Sequence, residues 1–213
     1  NSQFKKFNKV FSSKIKIIDC TFEVKSSLRD RIEKIREECE TAVREGSTTL
    51  ILSDKNISND RASIPSILSV GAAHSHLVKH GLRGYCSLNV ECSDALDTHS
   101  FAILIGVGAT TINPYLAIDS IYQRFEKKLF GKSDFQSCIA KFKKSIDAGL
   151  LKIMSKMGIS VISSYRGGCN FEAVGLSRAI VSDYFPGMSS RISGIGVSGI
   201  EDKIKELHNK FSK

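Results

Sequence analysis

Short apolar runs alternate along this chain with longer stretches of helical periodicity, and this alternation restricts the possible folds more than any other feature. The predicted strands are Lys14–Cys20, Thr48–Leu52, Tyr85–Glu91, Thr110–Asn113 and Ile159–Ser163. The predicted helices are Ser27–Glu45, Pro65–His80, Asp97–Gly108, Tyr115–Lys128, Ser133–Met157, Phe171–Tyr184 and Ile200–Phe211. A repeat of strand and helix favours a parallel sheet with right-handed crossovers. We therefore predict an α/β fold of repeated βα units, with a parallel sheet that is open or an incomplete barrel.

One of these segments is ambiguous, because Asp97–Gly108 fits either a strand or a buried helix. The helix is preferred, since Thr110–Asn113 makes a better short strand before Pro114. Along the chain, residues 1–13 are expected to form a lead-in segment and residues 14–199 the α/β segment. Residues 200–213 are expected to be a C-terminal helix that leads to a missing domain.

The loops that follow the predicted strands are the places to look for function, because parallel strands present their carboxyl ends along one edge. These loops are Asp19–Lys25, Ser53–Arg61, Glu91–Leu96, Asn113–Tyr115 and Ser164–Gly168. The candidate binding positions within them are Ser53, Asp54, Arg61, Asn113, Tyr115, Ser164, Arg166 and Gly167. We expect the second, fourth and fifth loops to lie on one edge of the sheet.

Two chemistries are conceivable at this edge. Two carboxylates and an arginine bracket the second loop, Asp54 at its start and Asp60 with Arg61 at its end, and could perform acid–base chemistry, although a loop held by salt bridges explains the same residues. Glycines with Arg166 after a strand could bind a phosphate, although an ordinary tight turn explains them too.

Two further motifs are given structural interpretations. Gly194-Ile-Gly196-Val-Ser-Gly199 matches the dinucleotide pattern G-x-G-x-x-G, but only a short Arg191–Ser193 stretch precedes it, so a flexible turn is expected. His76 and His80 share a helix face, yet His74 points elsewhere and the sequence offers no third ligand. We therefore expect hydrogen-bonded histidines and no metal site.

The net charge of +9 is concentrated in the last third of the chain, where residues 121–213 carry 16 basic and 8 acidic groups. The densest part runs from Lys127 to Lys144. Without an arginine cluster or interleaved aromatic residues, a solvated helix face is expected here, and no specific binding of nucleic acid.

The six cysteines have no metal-ligand spacing and sit in apolar patterns, which predicts reduced, buried thiols and a cytoplasmic protein. No run reaches the roughly 18 apolar residues of a membrane span, so no membrane contact is expected.

Five runs follow one another along the chain: IDCTFEV (Ile18–Val24), LILSDKNISNDRASIPSILSVGAAHSHLVKHGLR (Leu50–Arg83), HSFAILIGVGATTINPYLAID (His99–Asp119), GLLKIMSKMGISVISSYRGGCNFEAVGL (Gly149–Leu176) and SRISGIG (Ser190–Gly196). In this order they resemble the central domain of the glutamate synthase large subunit. The likeness covers residues 14–199, the later part of that domain, with local departures at Lys55, Ser75 and Gly168.

The resemblance implies a structural and coupling role in glutamate biosynthesis and ammonia assimilation. In this family a glutamine amidotransferase domain releases ammonia, which is channelled to an FMN domain that forms glutamate, and an iron–sulfur cluster supplies electrons to the flavin. The amidotransferase and FMN domains of the same parent chain would be the partners. No catalytic residue, flavin site or cluster cysteine matches here, so the chain alone is expected to bind no cofactor and to be inactive. The alternative is a self-contained small-molecule enzyme with a phosphate-binding loop near Arg166.

Overall fold

The computed structural model describes residues 14–211, apart from the side chain of Phe211, and its centre is a four-stranded parallel sheet. In spatial order the strands are β1 (Ile15–Asp19), β3 (Thr49–Ser53), β5 (Ser87–Glu91) and β6 (Thr111–Asn113). Each strand after the first is added on the same side of its predecessor, and no pairing among the described strands closes the sheet. The predicted α/β fold with an open, parallel sheet is therefore confirmed.

Two smaller sheets accompany the main one. The strands β2 (Thr21–Glu23) and β4 (Arg61–Ser63) pair antiparallel directly beyond the ends of β1 and β3. Near the C-terminus, β7 (Glu172–Leu176) and β8 (Ser189–Ile195) pair in parallel, with irregular register.

Eight helices lie within the described residues. They are α1 (Leu28–Arg44), α2 (Ser66–Lys79), α3 (Thr98–Gly106), α4 (Tyr115–Glu126), α5 (Phe135–Lys156), α6 (Ile162–Tyr165), α7 (Arg178–Tyr184) and α8 (Val197–Phe211). A short 3₁₀ turn also covers Arg83–Tyr85. None of the described helices combines the length and the apolar character needed to cross a membrane.

The core forms between the sheet and the first helices because the apolar stripe of each helix meets alternate residues of the strands. Leu28, Ile32, Ile35 and Cys39 of α1 belong to one buried cluster with strand residues such as Leu50. Ser27 caps α1 by accepting a hydrogen bond from the Asp30 amide, and Gly46 follows its end with a φ of +92°. The predicted helix Ser27–Glu45 is confirmed to within one residue at each end.

The C-terminal helix α8 returns to the body of the domain and packs on α1 and β4. The Glu201 carboxylate accepts a hydrogen bond from the Leu28 amide at 2.9 Å, and Lys205 donates to the Ser26 carbonyl oxygen. A carboxylate at this position satisfies a backbone donor of the first turn of α1 and interacts favourably with the helix dipole.

Two predicted elements are wrong. Ile159–Ser163 does not form a strand; its end lies in the short helix α6, where Tyr165 is buried and donates a hydrogen bond to the Ala102 carbonyl oxygen at 3.1 Å. Phe171–Tyr184 is not one helix, because β7 occupies its first half and Ser177 caps α7 in the second.

The glycine motif Gly194–Gly199 is not a flexible turn either, because Gly194 lies inside β8. A Cβ atom on Gly194 would stand 2.1 Å from the carbonyl oxygen of Gly175 in the neighbouring strand. Glycine is thus required at this position for the close pairing of β7 with β8.

The basic segment and the cysteines match their predictions. The lysines between residues 127 and 144 are all exposed, as expected for a solvated surface, and Lys141 donates a hydrogen bond to the Ser133 hydroxyl. All six cysteines are free thiols, and five of them are buried, with Cys169 partly exposed.

Candidate functional site: the carboxyl edge of the sheet

Glu91, the last residue of β5, joins the ends of three neighbouring strands. Its Oε2 accepts a hydrogen bond from the Ser53 hydroxyl at 2.9 Å, and its Oε1 accepts one from the Asn113 amide at 3.1 Å. The ammonium group of Lys55 lies 2.6 Å from the same Oε1. Because the Glu91 side chain is only 8% exposed, these donors stabilise a carboxylate that has lost most of its water.

Asp54 lies beside this group and is buried, but its two oxygens have different surroundings. Oδ2 accepts hydrogen bonds from the Ser93 hydroxyl at 2.6 Å, the Ser93 amide at 3.0 Å and the Ser63 hydroxyl at 3.2 Å. Oδ1 is buried and has no hydrogen-bond partner among the described residues. Burial and then the charge of Asp54 raise the pKa of the Tyr115 phenol, which therefore stays protonated beside the carboxylate.

Asp19 and Arg61 close the same edge at the end of β1. Arg61 donates through Nη2 to Asp19 Oδ2 at 2.9 Å and through Nε to the Thr21 hydroxyl at 2.9 Å. Burial acts to raise the pKa of Asp19, but hydrogen bonds from Thr21 and Asn56 and the charge of Arg61 outweigh it, so this pKa is lowered. Asp19 is therefore an ionised structural partner of Arg61.

The other predicted loop, Ser164–Gly168, lies at the opposite end of the sheet, so the expectation of a single edge is wrong for it. The Gly167 amide donates to the Ile105 carbonyl oxygen near the end of α3, and a Cβ on Gly167 would lie 3.1 Å from the His74 ring. The charge of Arg166 acts on His74 and Arg83. The physical reason is that no strand precedes this loop, so nothing directs it to the carboxyl edge.

At this amino edge, Arg83 binds segments that precede two strands. It donates to the carbonyl oxygens of Cys86 at 2.6 Å and Gly108 at 2.9 Å, and to His74 Nδ1 at 3.1 Å. Burial, followed by the charges of Arg83 and Arg166, lowers the pKa of His74 to about 4. His74 is therefore a neutral imidazole that accepts a hydrogen bond from Arg83.

The structure thus brings together Ser53, Asp54, Asn113 and Tyr115, with Arg61 farther along the same edge, and separates Ser164, Arg166 and Gly167 from them. The list of candidate positions omits Lys55, Glu91 and Ser93. Glu91 could have been found, because it ends a predicted strand just as Ser53 does. The contact of Ser93 with Asp54 depends on the tertiary arrangement of two loops, and no local sequence pattern indicates it.

The described residues do not fit an iron–sulfur cluster. Within residues 14–211, the one group of three or more His, Cys, Asp or Glu side chains whose ligand atoms converge is Glu40, His76 and His80, and it holds no cysteine. Cluster ligands are thiolates, whereas burial raises the pKa of Cys20 and of Cys92 to about 12.

Comparison with known proteins agrees with the sequence runs described above. The model of the glutamate synthase central domain matches residues 1–177. The NADPH glutamate synthase large chain of Azospirillum brasilense is 57% identical over 194 residues, which are 90% of this chain and 13% of that relative. The corresponding large chain of Bacillus subtilis is 42% identical over 175 residues, which are 81% of this chain and 11% of that relative.

Similarity extends to a relative named for another electron donor. The ferredoxin-dependent glutamate synthase of Pyropia yezoensis is 37% identical over an alignment of 219 positions, which covers 95% of this chain and 14% of that relative. The chain therefore spans only a small part of the length of the curated relatives that it matches. Since the family model covers most of the sequence, this chain belongs to the glutamate synthase central domain family.

Proposed function

We propose that this chain is a structural and coupling segment of a cytoplasmic glutamate synthase. In this proposal it links the glutamine amidotransferase domain to the FMN domain of the same parent chain and forms part of the wall of the ammonia path. FMN and the iron–sulfur cluster belong to the parent protein outside this segment. The family match carries the proposal, because it covers residues 1–177.

The bonding at the carboxyl edge supports a framework role. A general acid or base has to exchange a proton with a substrate within hydrogen-bond reach. Glu91 is instead enclosed by donors from Ser53, Lys55 and Asn113, and Asp19 is held by Arg61 and Thr21. These side chains fix the ends of the strands relative to one another, which is what a wall between two catalytic domains needs.

One carboxylate oxygen at this edge is not used by the hydrogen bonds described above. Asp54 Oδ1 is buried and accepts no hydrogen bond at standard distance from the described residues, and the Tyr115 phenol is the donor that lies beside it. Ammonia and ammonium both donate hydrogen bonds, and a carboxylate oxygen is a strong acceptor for them. If the proposed function holds, a substitution of Asp54 should affect the transfer of ammonia between the two catalytic domains.

The coupling experiment uses a full-length glutamate synthase large chain that contains this segment. Asp54→Asn is expected to lower glutamate formation from glutamine more than glutamate formation from added ammonia. Asp60→Asn, which alters an exposed acid in the same loop, is the matched control and should leave both rates unchanged. Equal losses of the two rates, or no loss, would count against a role in the ammonia path.

A second experiment tests the assignment of the cofactor and the chemistry to the rest of the parent protein. The purified chain is titrated with FMN and assayed for glutamate formation from 2-oxoglutarate and ammonia with a chemical reductant. No flavin binding is expected, because the proposal assigns FMN to the parent protein outside this segment. No glutamate above the blank is then expected either, because hydride transfer needs a bound cofactor. Micromolar affinity for FMN, or reductant-dependent glutamate, would overturn the structural assignment.

A further inference from the structure

Two neighbouring helices bring three metal-binding side chains together on the side of the domain away from the carboxyl edge. Glu40 lies on α1, His76 lies in the last turn of α2, and His80 caps that helix. His76 Nε2 lies 2.7 Å from Glu40 Oε2, and His80 Nδ1 lies 3.7 Å from the same oxygen. One ligand atom from each residue falls within 4.8 Å of the other two.

The local structure explains this convergence. Residues four apart on a helix project from the same face, so His76 and His80 are neighbours, and their ring centroids are 4.2 Å apart. The packing of α1 against α2 supplies Glu40, which is 36 residues from His76 in sequence. This third ligand is the one that the sequence pattern could not provide.

The charges at this position favour a cation. The C-terminus of α2 carries the negative end of the helix dipole, and His76 and His80 both lie there. The two carboxylate oxygens of Glu40 have different partners. Oε1 forms an ion pair with Arg44 at 2.8 Å, and Oε2 faces the two histidines. A cation at Oε2 would therefore leave the pair between Glu40 and Arg44 in place. The side chains of Glu40, His76 and His80 are 23%, 18% and 35% exposed, which leaves room for a water ligand.

We propose that Glu40, His76 and His80 bind a divalent transition-metal ion of the zinc class, with water as the fourth ligand. Bond lengths of about 2.0–2.1 Å place the ligand atoms of a tetrahedral zinc ion about 3.3 Å apart. The separations of Glu40 Oε2 from His76 Nε2 and His80 Nδ1, 2.7 and 3.7 Å, lie on either side of this value, and all three ligand atoms lie within 4.8 Å of one another. The metal replaces the contact of His80 Nδ1 with the His76 carbonyl oxygen, and the neutral imidazole then carries its proton on Nε2.

The bound ion links the last third of α1 to the end of α2. Imidazole and carboxylate ligands suit zinc, cobalt and nickel. Since the three ligands are already positioned in the folded chain, the ion stabilises the native state over the unfolded one by mass action.

The test begins with the purified chain, stripped of metal by a chelator and titrated with Zn²⁺ in a calorimeter and with Co²⁺ by visible absorption. One equivalent should bind, and the midpoint of thermal unfolding should rise with added Zn²⁺. His80→Ala and Glu40→Gln should each lower the affinity by at least about tenfold, because each removes a ligand rather than a supporting contact. His99→Ala, which removes an exposed histidine from α3, should bind as the unchanged chain does.

The alternative is that these residues only join the two helices by hydrogen bonds. In that case Glu40→Gln would destabilise the chelated protein, and Zn²⁺ would change the unfolding of neither the variant nor the unchanged chain. The cobalt spectrum separates a third possibility, since thiolate ligands would give intense charge-transfer bands that nitrogen and oxygen ligands lack. Either the absence of binding, or binding through cysteine, would overturn the proposal.

Discussion

The two edges of the parallel sheet are both closed by buried or partly buried polar side chains, but the charges are of opposite sign. At the carboxyl edge the buried groups are the carboxylates of Glu91 and Asp54, which accept hydrogen bonds from hydroxyl, amide and ammonium groups. At the amino edge the central group is the guanidinium of Arg83, which donates to backbone carbonyl oxygens and to the neutral imidazole of His74.

The difference shows that one sheet uses two ways of holding its ends. At the carboxyl edge, side chains bond mainly to side chains, so a change of partner or ligand can be accommodated by rotamers. At the amino edge, Arg83 bonds to the backbone and fixes the approach of the chain to β5 and β6. In folds of repeated βα units the first edge is the functional one and the second contributes to stability.

Gly108→Ala should break the amino edge and have the largest effect on stability. A Cβ atom at this position would lie 2.3 Å from His74 Nδ1, and the backbone has a φ of +125°. Steric overlap and backbone strain together should lower the free energy of unfolding by about 3–5 kcal/mol. Urea unfolding measures this loss.

Gly46→Ala is the matched control for Gly108→Ala. Its φ is +92°, but no atom lies within 4 Å of the added Cβ, so only strain of about 1–2 kcal/mol is expected. Equal losses in the two variants would mean that His74 moves freely, and the amino edge would then not be the rigid one.

Glu91→Ala should break the carboxyl edge, with a somewhat smaller effect. It removes the acceptor of Ser53, Lys55 and Asn113, but Lys55 is 46% exposed and can regain water. We expect a loss of about 2–4 kcal/mol in the free energy of unfolding. The exposed Glu37→Ala on α1 should stay within about 0.5 kcal/mol of the unchanged chain. A loss below about 1 kcal/mol for Glu91→Ala would show that this edge is not held by its carboxylate.

The comparison also separates what the sequence could predict from what it could not. The sequence predicts helix α1 to within one residue at each end, because its apolar stripe is a local signal. The run Ile159–Ser163 was misread, because a short apolar run fits a strand as well as a turn of buried helix. The split between β7 and α7 depends on the close approach of Gly175 to Gly194, which no local pattern reveals.

The same distinction applies to the candidate site. Ser53, Asp54, Asn113 and Tyr115 were placed correctly at one edge because each follows or ends a true strand. Arg166 was misplaced because its supposed strand does not exist. Glu40 and His76 come together only through the packing of two helices. Since they are 36 residues apart in the sequence, no local pattern relates them.

The last prediction concerns how the free energy of unfolding changes at the two edges as the pH falls. Burial, with Arg83 and Arg166, lowers the pKa of His74 from 6.5 to about 4. A histidine whose pKa is lower in the folded state contributes its full stability above pH 6.5, and loses it as the pH falls from 6.5 towards 4. With allowance for solvent screening of a partly exposed ring, the loss is about 2 kcal/mol.

Asp19 at the carboxyl edge should respond only at lower pH than His74 at the amino edge, so one titration distinguishes the two residues. The pKa of Asp19 is lowered from 3.8, so its contribution is present above that value and is lost as the pH falls below it. Urea unfolding from pH 7.5 to 3 should therefore show the loss due to His74 first. His74→Gln keeps a neutral polar side chain and should abolish the step between pH 6.5 and 4, whereas His99→Gln, at an exposed position, should retain it. If His74→Gln still loses stability between pH 6.5 and 4, the amino edge does not depend on a neutral imidazole. The two edges would then differ only in the sign of their charged groups.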